Sequence, residues 1–312
     1  MKKGILALFV LSAPLATYAC GNNGDGDGTD SGGEPDVIQT QDVTTTPVDA
    51  AQQEASLDAP PTDAPGFPWP DCTSQPTNVP TKAITDLWSE NPTTPVQVWM
   101  NGIYVTAISS GECVAGTACE IVFQQDLTYP SLQAGAQHAI RAWITTLTSK
   151  YFTSLQVGDQ VNAMAWAYRE DEGGESELIL HVDTIEPGCA LKIGSGTPTP
   201  IAGVTLDDLG SIAAYEQTYG PLLVEVANVT GTPKQPDQTF GLGDTFYDGG
   251  ADDAQIVSLS PFYMAGAVFV GFDAGVKTKF SYVSGVYDEY FNPDASAVKY
   301  LEIGTRTMSD VH

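Results

Sequence analysis

The chain has few basic residues, no long apolar run and few histidines, and each shortage argues against a class of protein. It holds 12 Lys and Arg residues against 39 Asp and Glu, a formal net charge of −27. Nucleic-acid binders normally carry basic clusters, because phosphate neutralisation supplies most of their affinity. The dispersed histidines and the lack of CxxC spacing argue against zinc. The acidic excess indicates a well-solvated surface or, alternatively, a cationic partner or bound divalent ions.

The first twenty residues have the three parts of an export signal. Lys2 and Lys3 precede an apolar run, and small residues lead to Cys20. The run is too short to span a membrane. The stretch resembles a bacterial lipoprotein signal, which implies that Cys20 is acylated and anchors the protein to a membrane. The alternative is cleavage after Ala19 and a secreted product. Gly21 resembles the pattern for sorting to the outer membrane or cell surface.

Composition divides the chain into four segments. Residues 1–19 are the predicted signal peptide, and residues 20–80 a lipidated, disordered, acidic tether. From residue 21 the tether has eleven acidic residues and neither Lys nor Arg. Such a segment buries too little apolar surface to offset its ordering entropy. We predict two folded β modules after it, at 81–190 and 191–312.

Four cysteines remain once Cys20 is set aside, an even number that predicts disulfides in an exported chain. Three pairings are possible. Cys113 and Cys119 share one short loop between two strand-like runs, so we predict that they pair with each other. Cys72 then pairs with Cys189.

The fold class predicted from the pattern is all-β. Residues 157–185 alternate like a hairpin, with Gly173 and Gly174 at its tip, and residues 277–303 form a weaker copy. Short strands separated by turns recur throughout both modules. Four pairs of similar residues share one sequence offset between the copies: Val161/Phe280, Met164/Val283, Tyr168/Tyr287 and Glu170/Glu289.

Five strands with a long middle connection suggest an OB-type barrel. The patterns FQQD at 123–126, VGDQV at 157–161 and PLLVEV at 221–226, and the ending GTRTMSDV at 304–311, resemble the tandem OB modules of secreted bacterial proteins. Such modules often accompany extracellular nucleases of the endonuclease/exonuclease/phosphatase superfamily. The resemblance implies two tandem five-stranded OB-like barrels.

Candidate binding residues are few. OB folds bind oligonucleotides or sugars through stacking on strands two and three and nearby loops, and Tyr104 and Trp166 are the aromatic candidates. Asp248, Asp252 and Asp253 form an acidic turn that could hold Ca²⁺; no other cofactor is predicted.

No catalytic residue is predicted. His138 and His181 lack a neighbouring nucleophile motif and are interpreted as structural or surface residues. The acids of the predicted hairpin tip are interpreted as solvated; they are Asp171, Glu172, Glu175 and Glu177.

These observations predict a non-enzymatic, surface-tethered binding or scaffold lipoprotein whose ligand is an envelope protein or glycan. One alternative is an accessory nucleic-acid-binding module beside a nuclease, which the scarcity of basic residues disfavours. Another is a hydrolase whose site the sequence does not reveal, and loss of activity on mutating His138 or His181 would support it.

Overall fold

β-Strands make up most of the described chain. The computed structural model describes residues 72–114, 117–145, 151–172, 175–183, 185–233, 240–243, 257–264, 269, 272–273, 275–292 and 298–312. The signal peptide, Cys20, most of the tether and the acidic turn of Asp248, Asp252 and Asp253 lie outside these residues.

The first sheet contains a closed five-stranded barrel. Its strands are β1 Val96–Ile108, β2 Cys119–Gln124, β3 Ala139–Ile144, β4 Asp159–Glu172, β5 Glu175–Val182 and β6 Cys189–Ser195. The pairing order β1-β2-β3-β5-β4 returns to β1, and β6 pairs with β4. Only the β3–β5 pair is parallel.

The second sheet repeats much of this order. Its strands are β7 Ile201–Val204, β8 Leu223–Pro233, β9 Phe240–Leu242, β10 Val257–Ser260, β11 Thr278–Asn292 and β12 Val298–Gly304. The β10–β12 pair is parallel, as β3–β5 is in the first sheet. The prediction of a barrel is confirmed for the first sheet, whereas a second closed barrel stays a prediction. The predicted boundary after residue 190 falls within β6, so the change of sheet comes after Ser195.

Helical segments are short. The helices are α1 Ile84–Glu90, α2 Leu132–Gly135 and α3 Ile212–Ala214, which continues into a π-helical turn at Tyr215–Tyr219. Among the described residues, 3₁₀ turns lie at Ser109–Gly111, Leu206–Leu209 and Met308–Asp310. Thr205 and Asp208 form a capping box at the start of the second of these turns. Within the described part of the chain, none of the helices has the length and apolarity needed to cross a bilayer.

Strict alternation explains the long strand β4. Val161, Ala163, Ala165 and Ala167 are buried in the first core, so the residues between them point out of the barrel. The β1–β4 register shifts between Met100 and Ile103, where Gly102 adopts a φ of +65°. The chain therefore forms a bulge at the Asn101-Gly102 pair.

The two sheets pack closely on each other. Ala107 and Val122, on the outside of the first barrel, share a small apolar cluster with Tyr263 and Val286 of the second module. The Leu223 amide also donates to Gln124 Oε1 at 2.7 Å. One outer face of β2 is therefore buried by the second module.

Both predicted disulfides are confirmed, Cys113–Cys119 and Cys72–Cys189, with sequence separations of 6 and 117. The longer one ties the chain that precedes α1 to the start of β6. Cys72 and Cys189 also pack with Val79, Trp99 and Met164 outside the barrel core.

The two disulfides should differ in their contribution to stability. Because loop-closure entropy grows with loop length, removing Cys72–Cys189 by double serine substitution should lower the free energy of unfolding by about 5 kcal/mol, and removing Cys113–Cys119 by about 2 kcal/mol. Urea denaturation of the two double variants measures the difference. Equal losses of unfolding free energy would show that the longer disulfide does not stabilise the fold more than the shorter one.

Candidate functional site

A cavity of about 640 Å³ opens between the two sheets. Its wall combines acidic and aromatic side chains from both modules. Seven carboxyl residues line it: Glu120, Glu170, Glu177, Asp183, Asp288, Glu289 and Glu302. The aromatic lining residues are Trp143, Tyr168 and Phe262, and the basic or titratable nitrogen side chains are Arg141 and His181.

Neighbouring strands place these residues side by side. Outward positions of β3 carry Arg141 and Trp143, while Ile140, Ala142 and Ile144 between and beside them are buried in the barrel core. His181 of β5 is the register partner of Trp143 on one side. The outer face of β3, β5 and β4 therefore forms one wall, and β11 and β12 contribute the other.

Arg141 is the centre of the charged network beneath the cavity. Its side chain is 13% exposed and forms an ion pair with Glu177 of the same sheet. It reaches across to the second sheet, where Nη1 lies 3.2 Å from Asp288 Oδ1 and donates to the Glu289 carbonyl at 3.1 Å. Glu120 Oε2 lies 3.7 Å from the same nitrogen. Buried charges require such partners, because an unpaired ion loses its hydration.

Two tyrosine hydroxyls connect the carboxyls of this network. Tyr215 bonds Glu177 at 2.7 Å and Asp288 at 3.0 Å. Tyr263 bonds Glu120 and Asp288. A phenol has one hydrogen to donate. At each tyrosine, therefore, both contacts are hydrogen bonds only when one carboxyl also carries a proton.

Burial raises the pKa of several of these acids. For Glu120 and Glu177 the loss of hydration raises the pKa, and the Arg141 charge opposes the rise only in part. Burial likewise raises the pKa of Glu302 to about 8, reinforced by the Asp288 charge. The raised pKa of Glu120 favours its protonated form, which supplies the proton that the contacts of Tyr263 require.

A second polar group lies at the wall of β4 and β5. The imidazole of His181 stacks on the Tyr168 ring with centroids 4.5 Å apart, and its Nε2 lies 3.0 Å from Glu170 Oε2. The hydrogen bond with His181 lowers the pKa of Glu170. The cavity therefore contains an ionised and a protonated carboxyl at neutral pH.

The structure separates the two predicted aromatic binding residues. Trp166 is the register partner of His181, so it lies on the outer face beside the cavity without lining it. Tyr104 is opposite Gln160, six residues away along β4, or about 20 Å at the usual strand rise. The two therefore do not form one site.

One sequence interpretation needs correction. Glu177, interpreted as a solvated acid of the hairpin tip, is 6% exposed, because β5 turns its side chain toward Arg141 and Tyr215. His181 lines the cavity, and its interpretation as a structural or surface residue stays a prediction. His138 lies elsewhere, edge-on to Tyr129 with centroids 5.2 Å apart.

The arrangement is suited to binding a polar or cationic group. Acidic side chains attract cations, and aromatic faces stabilise them further. Within the described ranges, no group of three or more His, Cys, Asp or Glu side chains is arranged to hold a metal ion. The acids are instead spread over the walls.

Comparisons with known proteins add little. No family model matches the chain. No curated protein matches it. Among solved structures, one named as an aspartyl-tRNA synthetase of Leishmania major Friedlin is 11% identical, with a TM-score of 0.25 over 46% of this chain. The match spans 26% of that protein's length, and a likeness at this level carries no argument about fold or activity.

Arg141 should be essential for stability. Substitution Arg141→Met leaves Glu177 and Asp288 buried without their cation, so we expect the free energy of unfolding to fall by about 3–5 kcal/mol. Lys82→Met removes the Lys82–Glu90 ion pair, whose side chains are 24% and 48% exposed. That control should cost at most about 1 kcal/mol. Chemical denaturation distinguishes the two, and similar losses would contradict a buried network.

Stability should fall as the pH rises. A carboxyl with a raised folded-state pKa stabilises the fold fully below its unfolded pKa, and this contribution disappears as the pH approaches the folded value. For Glu302 that window runs from about 4.5 to about 8, with a slope of up to about 1.4 kcal/mol per pH unit. The melting temperature should therefore drop across this window.

The variant Glu302→Gln, which cannot ionise, should show a shallower decline in melting temperature over the same window. The exposed residue Glu112 provides the matched control, Glu112→Gln. A decline that is equally steep in wild type and Glu302→Gln would show that Glu302 is not the source.

Proposed function

We propose that the protein is an exported, surface-tethered, non-enzymatic binding or scaffold lipoprotein whose ligand is an envelope protein or glycan. The cavity between the two sheets is its binding site. The observation that carries this assignment is the composition of the cavity wall, where Trp143 is 38% exposed beside buried carboxyls from both modules. Binding pockets typically combine apolar walls with a few placed polar groups.

Export is supported by the cysteines. Disulfides form and persist in oxidising compartments, and four cysteines of this chain form two of them. Lipid attachment at Cys20 rests on the sequence pattern, and it would hold the binding module at the outer membrane or cell surface, with secretion as the alternative.

We also propose that both modules are OB-like barrels. The order β1-β2-β3-β5-β4, with its parallel β3–β5 pair, fits a five-stranded Greek-key barrel. In the second sheet β8, β9, β10, β12 and β11 follow the same order, and β11 pairs with β8. The strand β9 has three residues, so its pairings are the shortest side of the proposed second barrel.

The nucleic-acid alternative has less support. OB folds commonly use the outer faces of strands two and three for oligonucleotides, and here Val122 of β2 is packed against Tyr263 and Val286. The remaining outer surface at the cavity is rich in carboxyls, which repel phosphate.

Capture from the producing bacterium's envelope fraction tests this proposal. The immobilised full chain should retain a specific protein or glycan, and Trp143→Ala should lose it because the substitution removes an exposed wall residue of the cavity. Val157→Ala, a change at another apolar residue with 41% exposure, should retain it. Treatment of the captured material with protease or periodate identifies its class.

A parallel titration with single-stranded DNA at low and physiological salt tests the alternative. We expect no binding. Two results together would replace the proposal with the nuclease-accessory function. One is micromolar binding of DNA that weakens steeply with salt. The other is that Trp143→Ala captures the same envelope components as the wild type.

A further inference from the structure

The cavity is lined by many more carboxyls than basic side chains. Seven carboxyls line it, against one guanidinium and one imidazole. Arg141 is already engaged by Glu177 and Asp288, and His181 by Glu170. Carboxyls therefore outnumber basic groups in a space large enough for a side chain.

Glu302 is a buried carboxyl that lacks a basic partner. It is 7% exposed on β12 and lines the cavity. Its hydrogen-bond partner is the Ser260 hydroxyl, and it forms no ion pair among the described residues. Its raised pKa is the consequence of this environment, since nothing nearby fully stabilises the ionised form.

Trp143 is an independent feature of the same cavity. An indole on the outer face of β3 would ordinarily be covered, yet it remains 38% exposed. Its ring can cover the apolar stem of a long side chain and attract a cation through its face. The carboxyls of the cavity do not by themselves account for this exposed aromatic ring.

We propose, building on the binding function above, that the cavity receives a lysine or arginine side chain of a protein partner. The cation pairs with Glu302, and the stem of the side chain packs against Trp143. A neutral glycan would offer no cation with which Glu302 could pair on ionising. An anionic ligand would be repelled by the surrounding acids.

Binding of the cation is coupled to loss of a proton. Glu302 is protonated in the free protein at neutral pH, and it must ionise to pair with an ammonium or guanidinium group. The proton passes to solvent. Affinity therefore rises with pH below about 8, by up to about tenfold per pH unit, and then levels off.

Calorimetric titration of the full chain with a capped Gly-Gly-Lys-Gly-Gly peptide tests this inference. We expect binding about tenfold tighter at pH 7.5 than at pH 6.5. Titrations in two buffers of different ionisation enthalpy should report release of close to one proton. The same peptide with acetylated lysine, which keeps the stem and loses the charge, should not bind.

Two variants separate the proposed contact from general electrostatics. Glu302→Gln should weaken binding and abolish proton release, whereas Glu112→Gln should leave both unchanged. Trp143→Ala should weaken binding and keep the pH dependence. Binding without proton release, or equal effects of Glu302→Gln and Glu112→Gln, would overturn the inference.

The outcome is distinguishable from failure of the proposed function. If envelope capture depends on Trp143 but the lysine peptide does not bind, the cavity binds another chemistry, such as a glycan, and only the inference is wrong. If capture is also independent of Trp143, the cavity is not the binding site and both are wrong.

Discussion

The buried charge of Arg141 determines how the two modules fit together. On the first barrel alone, Arg141, Glu120 and Glu177 would be an ordinary solvated group on the outer face. The second module covers this face and removes the water, so every charge then needs a protein partner. Asp288 and the hydroxyls of Tyr215 and Tyr263 supply those partners from the second module. The docking of the sheets is therefore constrained by ions as well as by apolar contacts.

This arrangement also fixes protons in the interface. Two phenols bridge pairs of carboxyls, and one proton beyond those of the tyrosines is needed at each bridge. The interface is consequently most favourable when some of its acids are neutral. The net charge of −27 does not reveal this, because it counts every acid as ionised. Glu302, at the edge of the same region, shares the requirement without sharing a basic partner.

Local patterns in the sequence were sufficient to predict the strands and the disulfides. Alternation predicted β4 and β5, and loop proximity predicted the Cys113–Cys119 pair. These features depend on neighbours in the chain. The closure of the first barrel was predicted from the number of strands and the length of the middle connection. Both are properties of a single module.

The repeat was predicted with a register that is only partly correct. The constant offset of 119 pairs Met164 with Val283, but Met164 packs outside the first core and Val283 lies in the second core. The predicted pair therefore joins an outward residue of the first barrel to an inward residue of β11, whereas Val161 and Phe280 both lie in their cores. A similarity of residue types could not reveal which face of the strand each residue occupies.

The site escaped prediction because its residues are ordinary in their own strands. Arg141 and Glu177 alternate with core residues, as solvent-facing charges do. Their meaning changes only when strand order is considered, since β3 stands between β2 and β5 and so brings Glu120, Arg141 and Glu177 to one face. A reader who assumed the barrel order could have found this signal in the sequence. It consists of three charged positions on one barrel face, beside the exposed Trp143. What it could not supply was the second module's contribution, because the packing of one sheet on another depends on the shapes of both surfaces and leaves no spacing rule in the chain.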